Sequence, residues 1–139
     1  MRGETVTGTG PTVVLDTNAL MMPVERDCRL FEEVERVLGA DGDDVEYLVP
    51  ATVVAELEEL SAGNGEAATA ARVGRDLVER CRVVETAEGY ADDAVAALGD
   101  RDGTDCVVTN DRPLRDRLLD RGVRVLGLRG ESKLAEAHA

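Results

Sequence analysis

An apolar strand that ends in a carboxylate constrains this chain more than any other feature of its sequence. Val13, Val14 and Leu15 run directly into Asp16. A segment that is apolar on both faces predicts a strand in the middle of a parallel sheet. The carboxyl end of such a strand is where open α/β sheets place their ligand crevice. Because a charge at the end of a buried strand is costly unless it is paired, Asp16 predicts a functional site.

Strand and helix patterns alternate along the rest of the chain. Strands are predicted near residues 12–16, 47–49, 82–85, 106–109 and 123–126. Apolar stripes at helical spacing predict helices near residues 27–38, 51–61, 66–80 and 90–98, and a last helix that stops at Gly122. This alternation is typical of βαβ units with right-handed crossovers. We therefore expect an α/β fold, a three-layer α/β/α sandwich with a central parallel sheet of about five strands.

Predictions of a linker, a helix cap and the domain boundaries accompany this fold class. The linker that contains Pro23 is expected to be irregular, and Thr52 is expected to cap the helix over residues 51–61. We assign residues 12–129 to a single domain. The polar, Gly/Thr-rich residues 1–11 are expected to form a flexible N-terminal tail, and residues 130–139 a polar C-terminal tail.

Composition indicates a cytoplasmic location. No apolar run approaches the roughly 20 residues that cross a bilayer, so no membrane association is expected. The cysteines Cys28, Cys81 and Cys106 are odd in number and widely spaced. That spacing argues against a zinc site or a disulfide framework and favours reduced thiols in a cytosolic protein.

The chain carries a net charge of −13, and Lys133 is its only lysine. Such a charge indicates either an acidic protein that avoids nucleic acid or a halophilic protein from a salt-loaded cytoplasm. At 1 M salt a Debye length of about 3 Å screens the self-repulsion. The acids are spread along the whole chain rather than gathered in a tail, which favours the halophilic interpretation. Under that interpretation, net charge does not exclude an RNA substrate.

Other carboxylates are expected to lie near Asp16. Asp111 also follows an apolar strand directly, and Glu56 and Asp92 lie on helices that begin at the same edge of the sheet. If strands 1 and 4 are neighbours at a switch point, these acids face one crevice. Converging carboxylates repel one another, and a hard divalent cation relieves that repulsion. Oxygen-only ligands suit Mg²⁺ or Mn²⁺.

Each acid also has a simpler explanation when it is taken alone. Asp111 could cap the helix that follows it, and Glu56 could be one of several solvated acids on its helix. Asp92 and Asp93 could be partners of the helix dipole in the first turn. By the angular count of 100° per residue, Asp92 lies closer to the apolar face of its helix than Asp93. The four positions together argue for a site more strongly than any one of them.

Four short motifs in order resemble the PIN-domain nuclease family. They are Leu15-Asp16-Thr17-Asn18, Val49-Pro50 with Val54-Ala55-Glu56-Leu57, Tyr90-Ala91-Asp92-Asp93, and Val108-Thr109-Asn110-Asp111. The resemblance covers residues 12–129. It is strongest to a branch that includes archaeal stand-alone PIN proteins and the nucleases of the eukaryotic small-subunit processome.

The resemblance implies a divalent-metal-dependent endoribonuclease that uses Mg²⁺ or Mn²⁺ to hydrolyse single-stranded or structured RNA, in rRNA or other RNA processing. It implies metal ligands at Asp16, Glu56, Asp111 and one residue of the Asp92-Asp93 pair. Asp92 is favoured because Val95 then occupies the family's aliphatic position. The catalytic set is therefore Asp16, Glu56, Asp92 and Asp111, with Asp93 a further candidate ligand. Thr17, Asn18 and Asn110 match supporting polar positions.

RNA is the expected substrate, and other partners remain open. Arg112 and Arg115 could contact phosphates, although they could equally be ordinary solvated side chains. The three aromatic residues form no row for base stacking, so no base preference can be read from the sequence. Proteins of this family often dimerise, so the resemblance adds a homodimer to the candidate partners. Two alternatives keep the fold: a VapC-type ribonuclease toxin held by an antitoxin, and a non-catalytic RNA-binding module with a ribosome-assembly partner.

Overall fold

The computed structural model describes residues 10–138 and arranges them around one mixed sheet. Its six strands are β1 (Thr12–Leu15), β2 (Glu46–Pro50), β3 (Arg82–Val84), β4 (Cys106–Val108), β5 (Val125–Arg129) and β6 (Lys133–Glu136). They lie in the order β3-β2-β1-β4-β5-β6, and only β6 is antiparallel to its neighbour. The predicted fold class is confirmed, with one strand more than expected. Most of the expected N-terminal tail, residues 1–9, lies outside the described residues.

Six α-helices in the described part of the chain cover the sheet. They are α1 (Thr17–Glu25), α2 (Leu30–Leu38), α3 (Ala51–Ser61), α4 (Gly65–Leu77), α5 (Ala91–Gly99) and α6 (Arg112–Asp120). Helices α1, α3 and α4 pack together, whereas α5 packs with α6 and against β1, β2 and β4. Right-handed crossovers explain why the helices form these two groups. The chain crosses the sheet in one direction from β1 to β3 and in the opposite direction from β3 to β5.

Strands β1 and β4 are neighbours at the point where the strand order reverses. Leu15, the last residue of β1, pairs with Val108, the last residue of β4. Every residue of β4, like Val13, Val14 and Leu15 of β1, is fully buried, which explains the apolar runs in the sequence. The residues that follow these two strands therefore emerge side by side at one edge of the sheet.

The linker predicted around Pro23 is a helix instead. Helix α1 begins directly after Asp16 and contains Pro23 in its last turn. Proline fixes φ near the helical value but removes one backbone donor, so α1 lacks one hydrogen bond at this residue. Helix α1 ends at Glu25, and Asp27 turns the chain with a φ of +51°. The buried Ala19, Leu20, Met21 and Met22 hold this helix on the core.

The cap predicted for the second helix is also different. Helix α3 follows β2 without a loop, and Pro50 rather than Thr52 occupies its N-cap position. Thr52 lies one residue inside the helix, where its hydroxyl is buried and has no hydrogen-bond partner among residues 10–138.

The segment expected to be a polar C-terminal tail contains the edge strand β6. Leu134 is 1% exposed, and its N–H donates to Oε1 of the buried Glu33 over 2.8 Å. Arg36 donates to both carboxylate oxygens of Glu33 and, over 2.8 Å, to the Leu134 carbonyl. Strand β6 is thus held by a side-chain network from α2 that lies about a hundred residues earlier in the sequence, which strand periodicity cannot reveal.

We expect Glu33→Gln to lower the free energy of unfolding by about 1.5–3 kcal/mol at pH 7, because it removes charged hydrogen bonds. The Arg36 guanidinium beside Glu33 lowers the pKa of this carboxyl to about 2, against 4.5 ordinarily. Stability from a lowered pKa is present above pH 4.5 and is lost as pH falls towards 2. The difference in free energy of unfolding between Glu33→Gln and the wild type should therefore shrink as pH falls from 4.5 towards 2. Urea unfolding curves recorded over that pH range measure it.

The matched control for this prediction is Glu32→Gln. Glu32 is the exposed neighbour of Glu33, and its ion pair with Arg29 spans 3.8 Å at the surface. Exposed pairs contribute about 0–1 kcal/mol, so this variant should unfold like the wild type. Equal losses in the two variants would show that Glu33 does not hold β6 in place.

None of the helices within residues 10–138 is both long enough and apolar enough to cross a membrane. The longest, α4, has 13 residues, against roughly 20 for a bilayer.

Candidate active site

Asp16 stands at the junction of β1 and α1 and is 4% exposed. Its Oδ1 accepts the Ala19 N–H over 2.8 Å, which makes Asp16 the N-cap of α1. Its Oδ2 accepts from the Asn18 amide over 3.0 Å and from the Thr109 hydroxyl. The carboxylate is thus oriented by Asn18 and Ala19, both in the first turn of α1, and by Thr109, which directly follows β4.

The surroundings of Asp16 oppose its negative charge. Burial, together with smaller contributions from the nearby carboxylates of Asp111 and Asp92, raises its pKa from 3.8 to about 7. The hydrogen bonds from Thr109 and from the Ala19 N–H act in the opposite direction. A carboxylate held in this way gains from a cation that would offset both the burial and the repulsion.

Asp111 is the third residue after β4 and, like Asp16, is the N-cap of the helix that follows. Its Oδ1 accepts the Leu114 N–H over 2.9 Å, so it caps α6, as one simple explanation of its position expects. Its backbone N–H donates to the Thr109 hydroxyl oxygen over 3.0 Å, and that same hydroxyl donates to Asp16. The two acids that follow β1 and β4 are therefore joined through the fully buried Thr109.

Thr109 is the residue of this site that sequence reasoning missed. The sequence places it only within a motif and at the end of a predicted strand. The signal was its polarity at the end of an apolar run, where a buried hydroxyl requires partners.

The supporting polar residues make the contacts that hold the site together. The Thr17 hydroxyl donates to Oε1 of Glu56, which links α1 to α3. Oδ1 of Asn18 accepts the backbone N–H of Asn110 over 2.8 Å, which joins the ends of β1 and β4. Asn110 thus contributes its backbone to this contact, whereas its side chain is exposed.

The two adjacent aspartates of α5 have different partners. Asp93 accepts a hydrogen bond from Arg117 of α6 over 2.8 Å. The pKa of Asp92 is raised, first by partial burial and then by the carboxylates of Asp111, Glu56 and Asp93. Asp92 is nevertheless the more exposed of the pair, so the angular argument for its burial was wrong. Its distinguishing feature is its acidic surroundings, and Arg117 was not singled out from the sequence as a partner of this pair.

The oxygen donors suit a hard divalent cation, although they are not gathered around one point. No group of three or more Asp, Glu, His or Cys side chains in the described range 10–138 is close enough to hold a metal ion as it stands. The carboxylates of Asp111 and Asp92 nevertheless raise the pKa of Asp16, and Asp111 raises that of Asp92. Asp16 and Asp111 also share hydrogen bonds with the Thr109 hydroxyl. The three acids could hold Mg²⁺ or Mn²⁺, with Glu56 beside them, because such ions prefer oxygen ligands.

A mainly basic cavity, with Glu136 as its one acidic lining residue, adjoins the end of β4. It has a volume of about 270 Å³ and is lined by Arg115, Arg129 and His138 together with Thr109 and Asn110. Arg115 is partly held there by Asp116, which accepts from its Nε and Nη2 over 3.2 and 3.1 Å. Arg112, the first residue of α6, is exposed.

We expect Thr109→Val to lower the free energy of unfolding by about 1–3 kcal/mol, because it leaves Asp16 and the Asp111 N–H without their buried partner. Loss of such a supporting hydrogen bond typically reduces metal affinity by roughly 10–100-fold. Denaturant unfolding and Mn²⁺ titration followed by thermal shift measure the two effects. Thr109→Ser should restore both. The control is Thr69→Val on α4, where the hydroxyl is exposed; a loss as large as that of Thr109→Val would contradict the prediction.

The sheet is mostly parallel, and acids follow its two switch-point strands. With two more acids on flanking helices, this arrangement defines an α/β protein with an acidic edge at the carboxyl ends of the strands. The family model described as PIN like domain matches residues 13–131. The chain therefore belongs to the PIN-like domain family. The resemblance stated from its motifs is confirmed, whereas the roles of individual residues stay predictions.

Similar proteins include nucleases at low sequence identity. Ribonuclease VapC4 of Methanocaldococcus jannaschii is 24% identical over 120 residues, which cover 84% of this chain and 89% of that protein. The structure of the PIN domain endonuclease Utp24 matches with a TM-score of 0.73 and 27% identity, over 92% of both chains. VapBC2 from Rickettsia felis, bound to a DNA fragment from its promoter, matches with a TM-score of 0.59 and 12% identity, over 85% of this chain and 99% of that one. The last comparison supports the fold alone.

Proposed function

We propose that this protein is a divalent-metal-dependent endoribonuclease that hydrolyses single-stranded or structured RNA in rRNA or other RNA processing. The observation that carries the proposal is the buried Asp16 at the switch point, linked through Thr109 to Asp111 and close to Asp92. Membership of the PIN-like family and the similarity to VapC4 and Utp24 support a nuclease.

In this proposal Asp16, Asp92 and Asp111 hold Mg²⁺ or Mn²⁺, and Asp93 remains a further candidate ligand. Such an ion supplies a water of lowered pKa and a positive charge against the phosphate. Glu56 binds a second ion or orients the attacking water, and the Thr17 hydroxyl fixes the direction of its carboxylate.

The remaining residues position these groups and the substrate. Thr109 and Asn18 hold Asp16 in one orientation. Arg115, with Arg129 in the same basic cavity, binds backbone phosphates beyond the scissile one. Arg112, exposed at the start of α6, extends that contact. Hydrolysis leaves a 5′-phosphate and a 3′-hydroxyl, as the family resemblance implies.

Cleavage of total RNA by the purified protein tests this function. The reaction is run in molar KCl with Mn²⁺ or Mg²⁺, since the halophilic interpretation of the net charge of −13 predicts a salt-loaded cytoplasm. A few discrete, metal-dependent fragments with 5′-phosphate ends are expected. Absence of cleavage with either metal, at low salt and at high salt, would contradict the proposal.

The second candidate is a ribonuclease toxin, favoured by the similarity to VapC4. A toxin would arrest growth when it is expressed alone, and a small antitoxin would relieve the arrest and inhibit cleavage. An RNA-processing enzyme would instead be tolerated and would act without such a partner. Expression in a heterologous host, with and without the product of an adjacent small reading frame, distinguishes the two.

A further inference from the structure

Tyr90 is an aromatic side chain left largely in solvent. It precedes α5 as the N-cap residue and is 77% exposed. The other two aromatic residues behave differently: Phe31 and Tyr47 are 4% and 5% exposed and pack edge to face with ring centroids 4.7 Å apart. Tyr90 is the most exposed large apolar side chain of the described residues, and its ring is therefore available to stack on a ligand.

Tyr90 borders a cavity that adjoins the candidate active site. The cavity has a volume of about 320 Å³, and Glu56, Glu59 and Thr52 of α3 line it together with Tyr90. Glu56 also raises the pKa of Asp92, two residues after Tyr90, so it belongs to both the cavity and the acidic edge. An RNA strand whose phosphate lies among the acids would therefore pass this cavity.

The lining of this cavity favours a nucleobase and disfavours a phosphate. Its charged groups are the carboxylates of Glu56 and Glu59, and none of its lining residues is basic. The buried Thr52 hydroxyl has no hydrogen-bond partner among residues 10–138. Carboxylate and hydroxyl oxygens accept hydrogen bonds from the exocyclic amino groups of bases, and the face of a tyrosine ring stacks on any base.

We propose that Tyr90 is the stacking platform for a base adjacent to the scissile phosphate, and that Glu59 and Thr52 select a base with an exocyclic amino group. The proposal rests on the proposed ribonuclease function and assigns that site a preference for adenine, cytosine or guanine over uracil. It also assigns the basic cavity at Arg115 and the acidic cavity at Tyr90 to different parts of the nucleotide, phosphate and base respectively.

Tyrosine fluorescence makes Tyr90 directly observable. The chain has no tryptophan and two tyrosines, and the second, Tyr47, is buried with its hydroxyl donating to Glu35 over 2.9 Å. The Asp16→Asn protein, which is expected not to cut RNA, is titrated with end-labelled oligo(A), oligo(C) and oligo(U). Protein emission and the anisotropy of the label are both recorded, so that stacking and binding are measured separately.

We expect oligo(A) and oligo(C) to change the emission of Tyr90 and to bind more tightly than oligo(U). Tyr90→Phe should bind within about twofold of its parent while the emission change disappears. Tyr90→Ala should bind about tenfold or more weakly, as for loss of one base–aromatic stack. Glu59→Gln should narrow the difference between oligo(A) and oligo(U), because its amide can donate to uracil as well. Glu58→Gln, on the same helix but outside the cavity, should leave that difference unchanged.

Two outcomes separate this proposal from the function on which it rests. If the wild type cuts RNA and Tyr90→Ala binds and cuts as well as the wild type, the stacking platform is refuted and the ribonuclease stands. If the wild type neither binds nor cuts any of the oligonucleotides, both are refuted. Because Tyr90 is exposed, circular dichroism should find Tyr90→Ala as well folded as its parent.

Discussion

Replacing Asp16 with asparagine is expected to reduce metal-dependent RNA cleavage by about 10³-fold or more. In the proposed site Asp16 is the central ligand, and a catalytic metal supplies several kcal/mol of charge stabilisation in the transition state. A loss of about 4 kcal/mol corresponds to roughly a thousandfold in rate. The effect should appear in the single-turnover rate constant for cleavage, with Mn²⁺ and with Mg²⁺ alike.

The same substitution is expected to preserve the fold. The asparagine oxygen can still accept the Ala19 N–H that caps α1, and asparagine is as good a capping residue as aspartate. The variant also loses a charge that is buried and repelled by neighbouring acids. This relief offsets the loss of the hydrogen bonds that Oδ2 of Asp16 accepts from Asn18 and Thr109. Without metal, the thermal unfolding midpoint of the variant should therefore stay close to that of the wild type.

Metal-induced stabilisation gives a second readout for Asp16→Asn. A metal at 100 times its Kd stabilises the wild type by about 2.7 kcal/mol, and the variant should not respond at the same concentration. The control is Asp105→Asn at the opposite edge of the sheet, where Asp105 accepts the Thr12 N–H over 2.7 Å. Cleavage by Asp16→Asn at the wild-type rate, or an equal loss in Asp105→Asn, would refute the assignment.

The position of the acidic edge was predictable from the sequence. Parallel strands joined by right-handed crossovers bring their carboxyl ends to one edge, so an acid after each apolar strand indicates where a crevice forms. Asp16 and Asp111 do follow neighbouring strands, since β1 pairs with β4. The metal-binding roles of these residues stay predictions, because side chains at the same edge of a sheet need not lie close enough to bind one ion.

The contacts that hold the site and the edge strand were not predictable, because they join distant parts of the chain. Thr109 and Asp16 are 93 residues apart, and Leu134 and Glu33 are 101 residues apart. Periodicity predicts which face of an element is buried, but it does not predict which distant side chain contacts that face.

Predictions from local sequence were wrong where tertiary packing stabilised a different conformation. Pro23 is a helix breaker in the sequence, yet α1 keeps it because four preceding residues are buried on the core. Strand β6 has a single fully buried residue, Leu134, so its four residues carried no strand pattern.

The adjacent acids Asp92 and Asp93 can be distinguished by a pair of conservative variants. Asp92→Asn should reduce metal-dependent cleavage by about 10²-fold or more, because it removes a carboxylate that faces Asp111 and Glu56. Asp93→Asn should change the rate by less than about threefold, since Asp93 already pairs with Arg117 over 2.8 Å. Rates and Mn²⁺ titrations of the two variants, measured side by side, test this assignment.

The two substitutions should affect stability in the opposite order, with the larger cost in the free energy of unfolding for Asp93→Asn. The ion pair of Asp93 and Arg117 is about two-fifths exposed, so its loss costs about 0–1 kcal/mol and less in molar salt. Asp92→Asn removes a repelled carboxylate and should cost no stability without metal. If Asp93→Asn abolishes cleavage while Asp92→Asn retains it, the third ligand is Asp93, and Arg117 must release it when the metal binds.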